Sequence, residues 1–221
     1  MPELFLHALS LADVGDETLA ATRERLKERF PRGATRRMTQ LGLLVGAALD
    51  ELRPRPDDAI VYASGYAETC ALEGFLDSFP SASPTLFQTS IHPSAVQQAL
   101  IARQHAVGEF FPLTGRGQLV GHAVQMALLS PAPRVLLCGG EERGSWLLAQ
   151  RAASDRTFVF GLALTRESAG SIARVALALT ADRHPEPEFM LPEFFDALRA
   201  RRPLDLVAAP GLHLSLTWQQ T

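Results

Sequence analysis

The residues able to do chemistry gather in one stretch, Gly108 to Glu142. Glu109 to Leu113 is a short apolar run. Gly115 and Gly117 punctuate it, with Arg116 between them, and Gln118 to Leu129 has helical content. Pro131 and Pro133 close that helix, and Arg134 to Cys138 is a second apolar run ending in Gly139-Gly140. Strand, glycine turn, helix and strand make a βαβ unit, which places its site at the strand-to-helix turn. A phosphate-bearing nucleotide cofactor is one occupant of such a turn. Gly115-x-Gly117 opens the helix, and Glu141 ends the next strand at about the distance of a ribose-binding acid. Gly121 falls one residue late for the third glycine of that pattern.

The other reactive side chains are scattered. Cys138 ends a buried strand, where a thiol is expected to be inert, and Cys70 sits on a helix with no His close in sequence. The absence of C-x-x-C argues against a disulfide framework or zinc, so no metal and no cofactor is expected. His122, one turn into the central helix, is expected to be buried and hydrogen-bonded, while His105 and His184 are expected at the surface. Glu141-Glu142 has the look of a solvated acidic loop. There is no G-x-S-x-G elbow, Walker A or H-E-x-x-H pattern.

These residues need a frame. The 221 residues, 47% of them apolar, suit one domain over 1–221 with a sizeable core. A net charge of −3 gives no nucleic-acid signature. The most apolar run, Leu41 to Leu49, is too short to span a membrane, and no signal pattern opens the chain, so a cytoplasmic location is expected.

Leu4 to Leu11 reads as a strand, followed by a helix from Glu17 to Phe30 with Asp16 as its N-cap. Met38, Leu41, Val45, Ala48, Leu49 and Leu52 recur at helical spacing, and Gly42 and Gly46 beside them suit close helix packing. Ala59 to Ala63 is a continuously apolar strand, as in a buried parallel sheet. Ala67 to Phe79 is predicted helical with Leu72, Phe75, Leu76 and Phe79 inward. Pro80 to Pro84 forms a loop, and Pro93 opens another helix ending near His105. Ser145 to Ala153 is a short helix. Thr157 to Leu164 and Ala173 to Thr180 are strands expected to pair as a hairpin. A helix from Pro192 to Ala200 and a last strand, Leu212 to Trp218, complete a mixed-sheet α/β fold with flanking helices.

Three segments carry a family likeness: Ser83 to Val96 (SPTLFQTSIHPSAV), the glycine turn before Gln118, and Arg134 to Glu142 (RVLLCGGEE). They resemble the N-terminal half of β-ketoacyl synthases, the condensing enzymes of the thiolase fold. The nearest likeness is to the short ketosynthase-like chain length factors of aryl polyene and xanthomonadin-type pigment clusters. Ala63-Ser64-Gly65-Tyr66 loosely matches the family's strand ending in Ser-x-x-Gly. The chain departs from the pattern at Pro93, where relatives carry Asn after the His.

The resemblance implies half a thiolase fold, without the second α/β half that supplies the decarboxylating His pair. It also implies a nucleophilic Cys at the N-terminus of the central helix, where dipole and backbone N–H groups lower the thiol pKa. The alignment puts Gln118 there, after Arg116 and Gly117, and no Cys, Ser or Thr lies in the first turn. Gln cannot form a thioester. The implied function is a non-catalytic subunit that pairs with a condensing enzyme, or binds an acyl-carrier protein or acyl chain. The alternative is the nucleotide-binding enzyme with its cofactor at the Gly115 turn. Half a fold should leave a large face open, for a homodimer or a required partner. Ser83 to His105, with Ser90 and His92, and the strand Glu109 to Leu113 are the expected interface. His122 is a further candidate to meet a ligand.

Overall fold

The computed structural model describes residues 3–182 and 188–219, so His184 lies outside the described residues. In chain order the strands are β1 (Glu3–Asp13), β2 (Ala59–Ser64), β3 (Glu109–Thr114), β4 (Arg134–Glu141), β5 (Phe158–Thr165), β6 (Ala173–Leu179), β7 (Leu204–Ala209) and β8 (Leu212–Trp218). The α-helices are α1 (Leu19–Leu26), α2 (Gln40–Leu52), α3 (Thr69–Asp77), α4 (Pro84–Ser90), α5 (Ser94–Arg103), α6 (Leu119–Leu129), α7 (Trp146–Ala149) and α8 (Leu191–Arg199). All eight strands join one mixed sheet in the order β3-β2-β4-β5-β1-β6-β8-β7.

Two apolar layers sandwich the sheet. Along β2, Ala59, Val61 and Ala63 enter the core shared with α6 and α8, while Ile60 and Tyr62 enter the core shared with α2 and α5. Period-two alternation therefore buries both faces, which explains the unbroken apolar runs of β2 and β4. Between α2 and α5, a Cβ on Gly46 would lie 3.1 Å from that of Ala99 and 2.7 Å from the Phe30 ring. The helices meet as closely as the glycines suggested. Thr39 caps α2, its Oγ1 accepting the Gly42 N–H at 2.9 Å. Thr39→Ala is expected to cost about 1 kcal/mol, measured as a lower urea midpoint with unchanged slope.

The structure departs from the sequence reading in several places. β5 and β6 do not pair: β1 lies between them, with Phe5 opposite Thr165 on one side and Arg174 on the other. A short turn permits a hairpin, but the apolar β1 gains two antiparallel neighbours by inserting there. β7 was missed, although Pro210-Gly211 before β8 is a turn signal, and Gly211 takes φ +78°. The α1 cap is Thr18, not Asp16, which pairs with Arg143 at 3.2 Å. α4 follows directly on the expected loop, started by Ser83 as N-cap and Pro84 behind it.

The C-terminal third packs onto the central helix. The C-terminal strands curl round so that α6 lies between β2–β4 on one side and β7, β8 and α8 on the other. A Cβ on Gly121 would sit 3.0 Å from the Ala208 backbone, so β7 rests directly on the helix. The chain's own C-terminal third thus covers α6, while the expected interface at Ser83–His105 and β3 stays at the sheet edge. Among the described residues, no helix is long and apolar enough to cross a membrane.

Candidate functional site at the ends of the parallel strands

β2 runs parallel to both β3 and β4 and lies between them. The crossovers through α5 and α6 therefore leave in opposite directions, and the carboxyl ends of these strands form a topological switch point. Crevices for ligands open at such points in α/β sheets. Three segments meet there: the β2–α3 turn, the β3–α6 glycine turn, and the end of β4.

Gln118 is the N-cap residue of α6, with φ +68°. A non-glycine residue in this left-handed region costs of order 1 kcal/mol and is held by its surroundings. A sharp, strained strand-to-helix turn is how nucleophile elbows project a side chain. Here the projected residue is Gln, and its side chain caps nothing. A Cβ on Gly117 would lie 2.5 Å from Glu188 Oε1, the end of an exposed side chain that can swing aside, so this contact does not by itself require glycine. Arg116 stacks over the Tyr66 ring, 5.3 Å from its centroid.

The acidic pair at the end of β4 is buried, which corrects the expectation of a solvated loop. The strand runs through the glycines and ends at Glu141, as the sequence reading had it. Glu141 Oε1 accepts the Gly65 N–H at 2.6 Å, and its Oε2 accepts the Tyr66 N–H and the Ser64 hydroxyl, each at 3.2 Å. Burial pushes its carboxyl up to about 7, against the pull of these three donors and with help from the nearby charge of Glu68. Glu142 is also raised by burial, with Leu41 N–H donating to its Oε2 at 3.3 Å. Glu141 fastens the Gly65-Tyr66 turn, and Tyr66 in turn supports Arg116. Gly65, Tyr66, Arg116 and Glu141 line a cavity of about 290 Å³ together with Leu148, Met190 and Leu191.

The remaining sequence candidates disperse. Ser90 ends α4 and donates to Phe87 O at 2.8 Å. His92 stacks on Tyr62 with centroids 5.1 Å apart, and its Nδ1 meets Glu68 Oε2 at 3.0 Å. His122 is exposed, not buried, because it lies on the outer stripe of α6 with Leu129. His105 is exposed. Burial pushes the thiols of Cys70 and Cys138 up to about 12, away from the nucleophilic thiolate.

Sequence reasoning missed the buried carboxylates Glu68 and Glu73, and it singled out Glu141 and Glu142 but set them in solvent. The available signal was the position of Glu141 at the carboxyl end of a doubly buried strand. Glu73 inverts α3. Its carboxylate accepts the N–H groups of Ser145 and Leu147, at 2.9 and 2.7 Å, and the Ser145 hydroxyl. Glu73 thus faces inward, and Leu72, Leu76 and Phe79, expected inside, are exposed.

No family model and no curated protein matches the chain. Solved structures do. A chain of the ketosynthase ApeO in complex with its chain length factor ApeC, from Xenorhabdus doucetiae, superposes with a TM-score of 0.69 at 16% identity. The match covers 97% of this chain and 98% of that one. A β-ketoacyl synthase from Burkholderia phymatum STM815 gives 0.55 at 12% identity, covering 82% of this chain and 65% of the other. The ishigamide ketosynthase/chain length factor gives 0.51 at 13%, covering 83% and 65%. The mixed eight-stranded sheet and its flanking helices are therefore a short version of the thiolase fold, as ketosynthases and chain length factors build it.

Proposed function

We propose that the chain is a non-catalytic, ketosynthase-like partner subunit of the chain-length-factor type, acting in bacterial aryl polyene or polyketide assembly. The observation that carries this reading is the α6 turn. It keeps the strained entry of a nucleophile elbow and fills it with Gln118. The two thiols elsewhere are held protonated. The fold supports the same reading, since the match to a chain of the ApeO–ApeC complex extends over 97% of this one. The aryl polyene assignment rests on the resemblance of the Ser83–Val96 segment.

Such a subunit works by pairing. β3 is an edge strand whose outer side meets no strand among the described residues, and it carries Pro112, which suits an edge. Ile91 and the strongly exposed Ile101 lie in the neighbouring Ser83–His105 segment. We place the condensing-enzyme partner, or a second copy, along this edge. The nucleotide reading has less behind it. Both oxygens of Glu141 are engaged by the β2–α3 turn, and the Glu188 carboxylate lies over Gly117, where a phosphate would be repelled.

The test is covalent loading. Incubated with an acyl-carrier thioester, the purified chain is expected to show no acyl adduct by intact mass. Transfer of an acyl group to any residue overturns the non-catalytic reading.

A further inference from the structure

We propose that Gly65 to His92, which carries α3 and α4, is a flap that lifts from the carboxyl end of the sheet as pH rises and opens the cavity beside the α6 turn. Packing is the first reason. Across this whole segment the buried residues are Glu68, Glu73 and Thr89. None of its apolar side chains enters, or packs against, the two cores formed among the described residues. α3 and α4 pack on each other instead, with the Phe75 ring 5.4 Å from that of Phe79 and 5.3 Å from that of Phe87 between centroids. A unit that coheres within itself and shares no core with its support can open as a body.

Carboxylates hold it down. At its first end Glu141 accepts the Gly65 and Tyr66 N–H groups. At its last end Glu68 Oε2 meets His92, while Glu68 Oε1 accepts the Ala95 N–H at 3.1 Å. Between them Glu73 takes the N–H groups of Ser145 and Leu147, and the Cys70 thiol donates to Glu142. Among the described residues no Arg or Lys bonds to any of these four carboxylates, and His92 is their one basic partner. The entry to the flap is strained as well. Ala67 takes φ +52°, which a residue with a Cβ adopts only where its surroundings hold it.

The charge balance sets the direction. Burial raises Glu141 and Glu142, each with help from Glu68. Tyr62 and Cys138 face the cluster from the sheet, and burial raises both. Arg116, Arg151, Asp155 and Glu193 stand with Glu141 around its cavity, and Arg23, Arg36 and Arg37 line the trough beside Glu142. In the closed form Glu141 holds its proton up to about 7, whereas a hydrated carboxyl releases it at the ordinary 4.5. The closed form is therefore favoured most below that lower value and loses its advantage as pH rises through the upper one. Deprotonation adds charge to a dry cluster of carboxylates, and lifting the flap hydrates it. Tyr66 then leaves Arg116, and the cavity loses one wall.

Hydrogen–deuterium exchange of the full chain tests this, read by mass spectrometry at pH 5 and pH 8 with labelling times corrected for the intrinsic rate. Peptides within 66–91 are expected to lose protection at least about tenfold at pH 8. Peptides from β2, β4 and β5 are expected to keep theirs. In E141Q/E142Q the hairpin should exchange almost equally at the two pH values. A hairpin whose protection does not change with pH, or changes only in step with β4, overturns the proposal. So does a full pH response in the double variant. Should circular dichroism show that variant unfolded, the comparison of hairpin with β4 in the parent decides. No acyl transfer is measured, so failure here leaves the acyl-loading result standing.

Discussion

Gly140→Ala is expected to destabilise the protein by at least about 3 kcal/mol, the upper range for overpacking a core, lowering Tm by roughly 10 °C in a domain of this size. β4 lies between β2 and β5. A Cβ on Gly140 would come within 2.3 Å of Phe158 O and 2.8 Å of a Val159 methyl. A flexible side chain could swing aside, but a backbone carbonyl in the adjacent strand cannot move without breaking the β4–β5 ladder. The strain would also displace Glu141, the next residue, from the β2–α3 turn. Differential scanning calorimetry checks the prediction. A Tm within about 2 °C of the parent would show that the strands are not in this register.

The second large effect is a pH dependence centred on Glu141. Its folded pKa, about 7, lies above the ordinary 4.5, so the folded chain holds a proton that the unfolded chain releases. Stability is then greatest below the unfolded pKa and falls as pH rises through the folded one, with the window between about 4.5 and 7. The loss across it is roughly 3 kcal/mol for a shift of this size. Glu141→Gln keeps the shape and removes the charge. Its amide nitrogen must face one of the two backbone N–H donors, so the variant should be less stable than the parent at pH 5, and the gap should close as pH rises to 8. Urea unfolding from pH 5 to pH 8 is expected to show a markedly flatter profile for the variant. Some slope should remain, because Glu142 is also raised by burial. Parallel profiles would show that Glu141 titrates as a solvated carboxylate.

Much of the frame was legible before any coordinates. The βαβ unit around the glycine turn, the doubly buried β2 and β4, and the α2 stripe all follow from periodicity over continuous segments. The cores confirm them residue by residue, with Ile60 and Tyr62 on one face and Val61 and Ala63 on the other. Local turn chemistry was less well used. Ser83-Pro84 and Pro210-Gly211 carried enough signal for α4 and for the β7–β8 hairpin.

What failed was long-range. A run such as Ala59 to Ala63 announces a strand but not its neighbours, and the insertion of β1 between β5 and β6 pairs residues as distant as Glu3 and Ala176. α3 shows the same limit in miniature. Its pattern put Leu72 and Leu76 inside, but the N–H groups of Ser145 and Leu147 need an acceptor and find it in Glu73, 72 and 74 residues away. Satisfying buried donors outweighs hiding two leucines.

The amino-acid sequence by itself determined that the α6 entry has no nucleophile, since that depends only on residue identity at Gln118 and its neighbours. It also determined the strands and helices whose periodicity is local. Only the tertiary structure decided that Gln118 sits in a strained left-handed turn, that Glu141 is a buried clasp whose carboxyl burial pushes upward, and that the C-terminal strands close over α6. A pKa, a strain and a covered face are properties of the groups that surround a residue, and those groups come from parts of the chain that folding alone brings together.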